Sequence, residues 1–294
     1  MTTSTMKWKH GETWYRIVGD LSSNKTPVVV LHGGPGAAHN YTISIGEMIA
    51  ASGRPAILYD QIGCGLSSHM PDAPVEFWTP ELFMEELTLL TEHLGISHNF
   101  AIIGQSWGGM LGMQYATTPR PGLKALIVAD SPASMKIWSS EAEKLRALLP
   151  ADVEAALKTA EAANDYTSES FQAAMNVYYE RHVCRIPFPQ NVLDSFAQIE
   201  EDPTVYHTMN GPSEFLCIGT LKNWDIHDDL HKISVPTLLL NGAYDEATPG
   251  MVQEIHRRIP DVVWEMFPNS AHMPHVEEPE RFSRVVNGFL DSKL

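Results

Sequence analysis

The stretch FAIIGQSWGGMLGMQYA, residues Phe100 to Ala116, joins a short apolar run to a helical pattern and has a serine at the junction. The run FAIIG predicts a buried strand, and the residues after Ser106 predict a helix. Gly104 and Gly108 complete the pattern G-x-S-x-G, in which a sharp strand-to-helix turn exposes a serine hydroxyl above a sheet. The pattern is short, so a serine that only caps the helix stays an alternative at this point.

Five further apolar runs have the character of buried strands. Their apolar character is continuous rather than alternating, as expected where helices cover both faces of a parallel sheet. With helical patterns between them, they predict an α/β fold with an open, mostly parallel, doubly wound sheet. The runs are PVVVLHG near Val28, AILYD ending at Asp60, ALIVAD ending at Asp130, PTLLLNG near Leu238 and VVWEMFP near Val263.

The segment TPELFMEELTLLTEHLG is the clearest predicted helix. Its apolar residues recur at three- and four-residue steps and form one stripe. Thr79 fits the N-cap, Pro80 the first helical position and Gly95 the end.

The strand–helix alternation stops between about Ser134 and His231. This segment is rich in helix formers, as in SSEAEKLRALLPADVEAALKTAEAAND, and has no strong apolar strand pattern. It therefore predicts a helical insertion between two strands of the sheet. We divide the chain into a core domain of residues 1–133 and 231–294 and a helical domain of residues 134–230.

Composition limits the class of protein. With 20 basic and 36 acidic residues, the 294-residue chain has a formal net charge of −16, which repels nucleic acid and anionic membranes and suits a cationic ligand. An acidic surface that only maintains solubility is the simpler alternative.

Three scattered cysteines fit a reducing compartment. With no apolar run of membrane length and no apolar signal-type segment near the start, we expect a cytoplasmic protein, plausibly a monomer.

A serine hydroxyl needs a base and an acid before it becomes a good nucleophile. In this fold class they follow in the order Ser, Asp, His. Asp245 stands just after one predicted strand and His272 just after the last one, where loops at strand ends form ligand sites. His275 is a less favoured alternative base, because it lies further from the strand. A loop-capping role for Asp245 also remains open.

Acyl transfer further needs N–H donors for the developing oxyanion. The Trp107 amide directly follows the serine at a helix N-terminus, and the loop HGGPG after an earlier strand is expected to supply a second donor. His32 in that loop fits a structural role better than a catalytic one. A phosphate-binding loop is disfavoured, because G-x-G-x-x-G spacing and a P-loop lysine are both absent. We find no metal-ligand cluster and no cofactor motif in the sequence.

Five motifs carry a resemblance to a known family. In the order HGGPG, DQIGCGLS, GQSWGG, YDEATP and SAHMPHVEEPERF, the chain resembles the α/β-hydrolase superfamily over nearly its whole length. More narrowly it resembles the proline iminopeptidase family, serine peptidases that remove N-terminal residues. HGGPG beside a strand and GQSWGG are characteristic of that group.

The resemblance implies roles for seven residues. The catalytic triad would be Ser106, Asp245 and His272, and the oxyanion donors would be the backbone amides of Gly34 and Trp107. The helical insertion would be the cap domain over the active site. The segment YHTMNGPSEFLCIGTLKNWD resembles the cap motif whose glutamate, here Glu214, binds the substrate's free α-amine, and Glu246 would be the second amine-binding glutamate. An α-amine with a reference pKa of about 7.7–8.0 is largely protonated near neutrality, so two carboxylates would recognise it.

We therefore expect a cofactor-free serine aminopeptidase or amino-acid amidase, acting on a small peptide or amide with a free N-terminus and forming an acyl-enzyme. Proline is the leading N-terminal residue on resemblance alone. Two alternatives are a carboxylesterase or lactonase with the same triad, and a catalytically silent homologue that binds a small ligand. Candidate pocket walls, for which core packing is an equal alternative, are Trp107, Phe215, Leu216, Cys217 and Trp224.

Overall fold

A computed structural model describes residues 2–294 and contains one eight-stranded sheet. The strands lie in the order β1-β2-β4-β3-β5-β6-β7-β8; β1, β2 and β4 are joined by antiparallel pairing, and every other neighbouring pair is parallel. The predicted mostly parallel α/β sheet is thereby confirmed. The strands are β1 Thr2–Trp8, β2 Gly11–Val18, β3 Val28–Leu31, β4 Ala56–Tyr59, β5 Phe100–Gln105, β6 Leu123–Ala129, β7 Thr237–Gly242 and β8 Val262–Phe267.

Eleven α-helices are found in the part of the chain that the structure describes. They are α1 Ile43–Ala51, α2 Pro80–His93, α3 Trp107–Ala116, α4 Met135–Arg146, α5 Ala151–Ala163, α6 Glu169–His182, α7 Gln190–Glu201, α8 Thr204–Met209, α9 Pro249–His256, α10 Pro274–Glu277 and α11 Pro279–Lys293. Helix α2 begins as predicted, with the Thr79 hydroxyl accepting a hydrogen bond from the Leu82 amide at 3.4 Å. Among residues 2–294, none of the helices combines the length and the hydrophobicity required of a membrane span.

Strands β3 to β7 are buried on both faces, which explains their continuous apolar character. Strand β8, which the sequence predicted to be buried as well, is only partly buried, with Val263 48% and Met266 41% exposed, because it lies at the edge of the sheet. In β3, Val29 and Leu31 belong to one apolar cluster, whereas Val28 and Val30 belong to another on the opposite face. Helices α2, α3 and α9 cover the first face, and α1 and α11 cover the second. The sheet is therefore a rigid central layer whose parallel strands end along one edge.

The helical insertion follows β6 and precedes β7, and it contains α4 to α8. Its own apolar cluster is centred on residues such as Leu157, Phe171 and Tyr178. The start and end of the insertion are joined, because Ser134 pairs with Asp225 and donates a side-chain hydrogen bond to it at 2.8 Å. The domain limits 134–230 stay a prediction.

Helix α11 provides a test of how much the second face contributes to stability. Phe282 is fully buried and its ring lies 5.8 Å from that of Phe267 at the end of β8. We expect Phe282→Ala to lower the free energy of unfolding by about 3–5 kcal/mol, because it removes apolar contacts and leaves a cavity. Urea denaturation measures this. Leu148→Ala, at a residue 73% exposed, is the control and should change it by less than about 0.5 kcal/mol. If both substitutions lowered the free energy of unfolding equally, the packing of Phe282 on the second face of the sheet would not contribute as described.

Candidate functional site

Ser106 occupies the sharp turn between β5 and α3. Its backbone has φ 56° and ψ −124°, a conformation that is strained for a residue with a side chain. The turn is possible because Gly104 and Gly108 have no side chain: a Cβ on Gly104 would overlap the backbone of Gly108. The Ser106 amide donates to the Ala129 carbonyl of β6 at 2.9 Å, which fixes the turn against the next strand. The serine is partly exposed whereas its neighbours are buried, as the sequence predicted.

Asp245 and His272 meet at the same edge of the sheet. Asp245 follows β7, His272 follows β8, and the histidine Nδ1 lies 2.7 Å from the aspartate Oδ1. The same oxygen also accepts the Ala247 amide at 2.8 Å. This contact sets the tautomer that leaves Nε2 free, and Nε2 makes no hydrogen bond within residues 2–294. The pair therefore has the arrangement of an acid that orients a base.

Two adjoining cavities bring most of the predicted site residues together. One, of about 430 Å³, is lined by Ser106, His272, Gly34 and Glu214. The other, of about 280 Å³, shares Ser106, Gly34 and Glu214 and adds Trp107 to its wall. Glu246 does not line either of these cavities; it lies with its Oε1 3.9 Å from the His272 Nε2. The serine hydroxyl is thus reached from two sides, with a carboxylate common to both.

The loop after β3 places backbone next to the serine. A side chain on Gly33 would come within 2.9 Å of the Ser106 Cβ, so only glycine fits this close approach. Gly34 has φ 106° and is followed by a cis peptide bond to Pro35. Trp107 is the first residue of α3, and the first amides of a helix have no partner inside it. Gly34 and Trp107 therefore both line a cavity together with Ser106, and their role as oxyanion donors stays a prediction.

Tyr41 and Gln105 form a hydrogen-bond chain that the sequence analysis missed. The Gly33 amide donates to the Tyr41 hydroxyl at 2.5 Å, and that hydroxyl donates to Gln105 at 2.6 Å. The Gln105 side chain in turn donates to the His272 carbonyl at 2.8 Å. The chain links the β3 loop, the serine turn and the histidine loop. Only the position of Gln105 beside the serine was a signal in the sequence; nothing there pointed to Tyr41.

Glu214 comes from the insertion, after α8. Its Oε1 accepts the Tyr206 hydroxyl at 2.8 Å, and its main-chain carbonyl accepts the Trp138 indole N–H at 2.8 Å. Burial raises the pKa of Glu214, while His272 and Tyr206 lower it. The carboxylate is therefore held rigidly at the cavity wall and has acceptor capacity left for a ligand.

Glu246 is almost fully buried, and neither of its oxygens makes a hydrogen bond of ordinary geometry within residues 2–294. Burial raises its pKa well above the usual range, His272 lowers it, and the charges of Glu214 and Asp245 raise it further. The Tyr178 hydroxyl also lowers this pKa, although it lies outside good hydrogen-bond geometry. A buried carboxylate with unused acceptors is an unusual arrangement that a cationic group would stabilise.

The imidazole of His272 is surrounded by negative charge. Burial opposes its protonation, but Asp245, Glu246 and Glu214 outweigh that effect and raise the pKa of His272 to about 9. An ammonium group bound by the two glutamates would offset their charge and lower this pKa. A cationic ligand therefore favours the neutral imidazole that a general base requires.

The structure assigns other predicted residues to packing. His32 is buried and links the β3 loop to Gln61, whose amide donates to its Nε2 at 3.0 Å. Among the candidate pocket walls, Trp107 lines a cavity, but the other four do not line either of the two described. Phe215 and Leu216 pack in the insertion cluster, and Cys217 and Trp224 pack against the main core. Apolar character alone did not distinguish a pocket wall from the core.

The fold and the positions of the serine, histidine and aspartate at its strand ends are those of an α/β-hydrolase. Comparison with known proteins gives the same class. The chain belongs to the α/β-hydrolase fold family, whose model matches residues 26–279. Within that fold it belongs to the proline iminopeptidase family. The proline iminopeptidase of Clostridium botulinum is 37% identical over 99% of this chain and 98% of that protein, and the one from Lactobacillus delbrueckii subsp. lactis is 33% identical over 100% and 99%.

Solved structures show the same relationship. The crystal structure of VinJ is 48% identical, with a TM-score of 0.98, and covers 100% of this chain and 99% of that one. The crystal structure of a proline iminopeptidase from Mycobacterium smegmatis is 45% identical, with a TM-score of 0.93, and covers 99% and 98%. The similarity therefore includes the core, the insertion and both segments that carry glutamates.

The charge around His272 predicts how Ser106 reacts with a neutral fluorophosphonate as the pH changes. Only the neutral imidazole accepts the serine proton, so we expect the labelling rate to rise with pH, with a midpoint near 9. Glu246→Gln removes a charge that favours the imidazolium and should move the midpoint to lower pH. Pseudo-first-order labelling rates between pH 5 and 10 measure both.

Two controls make this labelling test specific. Ser106→Ala should not be labelled, and Glu47→Gln, on the exposed face of α1, should keep the wild-type midpoint. A rate that does not depend on pH, or a midpoint that rises in Glu246→Gln, would show that the carboxylates do not control His272.

Proposed function

We propose that this protein is a serine aminopeptidase that hydrolyses the amide bond after an unblocked N-terminal residue, with proline as the preferred residue. One observation carries this proposal: a partly exposed, strained Ser106 shares its cavities with Glu214, and a second carboxylate, Glu246, lies 3.9 Å from the histidine. The serine accounts for acyl transfer, and the carboxylates account for a cationic α-amine on the acyl group.

The first half-reaction forms the acyl-enzyme. His272 Nε2 takes the Ser106 proton while Oγ attacks the substrate carbonyl carbon, and Asp245 stabilises the imidazolium that results. The amides of Gly34 and Trp107 donate hydrogen bonds to the oxyanion. When the tetrahedral intermediate collapses, the C–N bond breaks and the imidazolium gives its proton to the leaving amine.

The second half-reaction uses the same groups with water. His272 takes a proton from a water molecule, whose oxygen attacks the ester carbonyl, and the amides of Gly34 and Trp107 again bind the oxyanion. The C–O bond to Ser106 then breaks, and the proton returns to the serine oxygen. The free amino acid leaves, and the residues return to their starting protonation state.

Recognition of the free amine fits the local charge. Glu214 and Glu246 are both close enough to His272 to affect its pKa, so an ammonium between them lies beside the reacting carbonyl. An acylated amine has no positive charge and would leave the carboxylates without a counter-charge in a buried site. The arrangement thereby selects the first residue of a chain over an internal one.

The larger cavity suits an apolar leaving group, because its wall includes Val183, Phe196, Ile199 and Met273. We take small peptides and amino-acid amides as the substrates. Three unpaired cysteines support a cytoplasmic location, and the net charge of −16 disfavours nucleic acid and anionic membranes as partners. We take the protein to be a monomer.

Amide and ester kinetics of glutamate variants test the proposal. For prolyl p-nitroanilide we expect Glu214→Gln and Glu246→Gln to lower kcat/KM by about 10- to 100-fold, mainly through KM, because each loses a charged hydrogen bond worth about 1.5–3 kcal/mol. Hydrolysis of p-nitrophenyl acetate, which has no amine, should not fall in either variant and should rise below pH 9, because loss of either charge lowers the pKa of His272.

The matched control for these glutamates is Glu47→Gln, which should keep wild-type kinetics on both substrates. The N-acetylated prolyl anilide should be a poor substrate of the wild-type protein. Faster ester than amide turnover with no effect of either glutamate would favour a carboxylesterase or lactonase. A wild-type protein that hydrolyses neither substrate and resists labelling at Ser106 would indicate a silent homologue.

A panel of amides tests the preference for proline. We expect prolyl p-nitroanilide to give a higher kcat/KM than the alanyl, leucyl and phenylalanyl compounds, because the relatives that match this chain over its full length are proline iminopeptidases. A methylene in an apolar pocket changes specificity by about 10- to 200-fold at most, so neighbouring residues should differ by factors within that range. A higher kcat/KM for phenylalanine than for proline would contradict this preference.

A further inference from the structure

Asp130 is a buried carboxyl that the reaction above does not use. It directly follows β6, is fully buried and has φ 56°, which is uncommon for a residue with a side chain. Its amide donates to the Leu240 carbonyl of β7 at 2.8 Å. Because β6 and β7 pair side by side, Asp130 lies next to the loop that carries Asp245.

Three carboxyl oxygens at this place have no donor. Both oxygens of Asp130 and the Oδ2 of Asp245 are buried and make no hydrogen bond to the donors of residues 2–294. By contrast, Asp245 Oδ1 accepts both His272 and Ala247. Buried carboxylates that lack donors are costly, and such oxygens normally have a partner.

The two carboxyl groups are within hydrogen-bond reach of each other. Two carboxylates at this distance do not both ionise, but a single proton between them supplies the missing donor. Asp245 Oδ1 already accepts two hydrogen bonds, whereas neither oxygen of Asp130 accepts one of ordinary geometry, so the proton belongs on Asp130. The neutral carboxyl of Asp130 then donates a hydrogen bond to the Oδ2 of the ionised Asp245.

The surroundings of Asp130 agree with that assignment. Burial is the main factor that raises its pKa well above the usual range, and the charges of Asp245 and Glu277 raise it further. The Gly242 amide, which lies outside good hydrogen-bond geometry, acts in the opposite direction. Burial and the neighbouring charges therefore favour the protonated form of Asp130.

We propose that Asp130 is a positioning residue, whose protonated carboxyl donates a hydrogen bond to Asp245 Oδ2 and fixes the aspartate for His272. Asp245 is then held through both oxygens, by His272 and Ala247 on one side and by Asp130 on the other. The inference rests on the proposed function only in taking Asp245 and His272 as catalytic.

The end of β6 also contacts the nucleophile. The Ala129 carbonyl accepts the Ser106 amide, and Ser131 donates its hydroxyl to the Ser106 carbonyl at 2.7 Å. Asp130 stands between these two residues in the chain and faces the acid. One short segment therefore sets the position of the serine and the aspartate relative to each other.

Two substitutions of Asp130 separate a hydrogen-bond donor from mere bulk. Asp130→Asn keeps a donor of the same shape, and Asp130→Leu keeps the volume but removes the donor. With prolyl p-nitroanilide we expect the leucine variant to lose about 10- to 100-fold in kcat with little change in KM, the range found when a hydrogen-bond partner that orients a metal ligand is removed. The asparagine variant should recover most of that loss. Asp72→Leu, at an exposed aspartate, is the control.

Infrared spectroscopy provides a measurement that needs no substrate. The wild-type protein at pH 7 should show the carbonyl band of a neutral carboxylic acid that the Asp130→Asn variant lacks. If Asp130 were ionised, the wild-type minus Asp130→Asn difference spectrum would contain no such band. A neutral Asp130 thus gives a positive band in that difference spectrum. The comparison isolates Asp130 from other buried acids such as Glu86, whose pKa burial raises to about 8.

The outcomes are distinguishable. No acid band in the difference spectrum, an asparagine variant as slow as the leucine variant, or a folded leucine variant with wild-type kcat would each overturn the proposal. If the leucine variant fails to fold, the band and the asparagine kinetics still decide. If instead the aminopeptidase function is wrong, wild-type protein is inactive on the anilide while the band for Asp130 remains.

Discussion

The strained turn at Ser106 is the constraint on which the site depends. A left-handed backbone at a residue with a side chain persists only where surrounding contacts determine it. Here these contacts are the close approach of Gly104 to Gly108 and the hydrogen bond from Ser106 to β6. The parallel sheet fixes where each following loop begins, so the aspartate and histidine loops are placed relative to this turn by strand pairing.

Charge is the second organising feature. One imidazole is surrounded by Asp245, Glu246 and Glu214, with Asp130 behind the first of these. The arrangement has more negative than positive groups, and burial makes that imbalance costly. On the proposed function the substrate supplies the missing cation. Binding and base activation are then the same electrostatic event, because the ammonium that is recognised also reduces the negative charge acting on His272.

Much of the fold was predictable because the strands from β3 to β7 are buried on both faces, so their sequences are continuously apolar. The hairpin β1–β2 was missed, because β1 is mostly exposed and has no apolar run. In the site, Ser106, Asp245 and His272 follow strand ends in a fixed order, so linear reasoning placed all three at one edge of the sheet, and their catalytic roles stay a prediction. Tyr41 and Asp130 act through contacts between distant parts of the chain. The sequence marked Asp130 only as the end of a predicted strand. It did not indicate that Asp130 lies next to Asp245, because that contact depends on the pairing of β6 with β7.

The two cavities that meet at Ser106 have a consequence for successive cycles on one chain. Both contain the serine and Glu214, so on the proposed function the α-amine and the carbonyl of the same residue are bound together. Cleavage of a peptide at that position exposes a new α-amine on the remaining fragment, which carries the same charge as the original. The carboxylates do not distinguish the fragment from its parent. On the proposed function, trimming therefore continues until the next side chain does not suit the cavities beside Ser106, because the amine site accepts every new N-terminus.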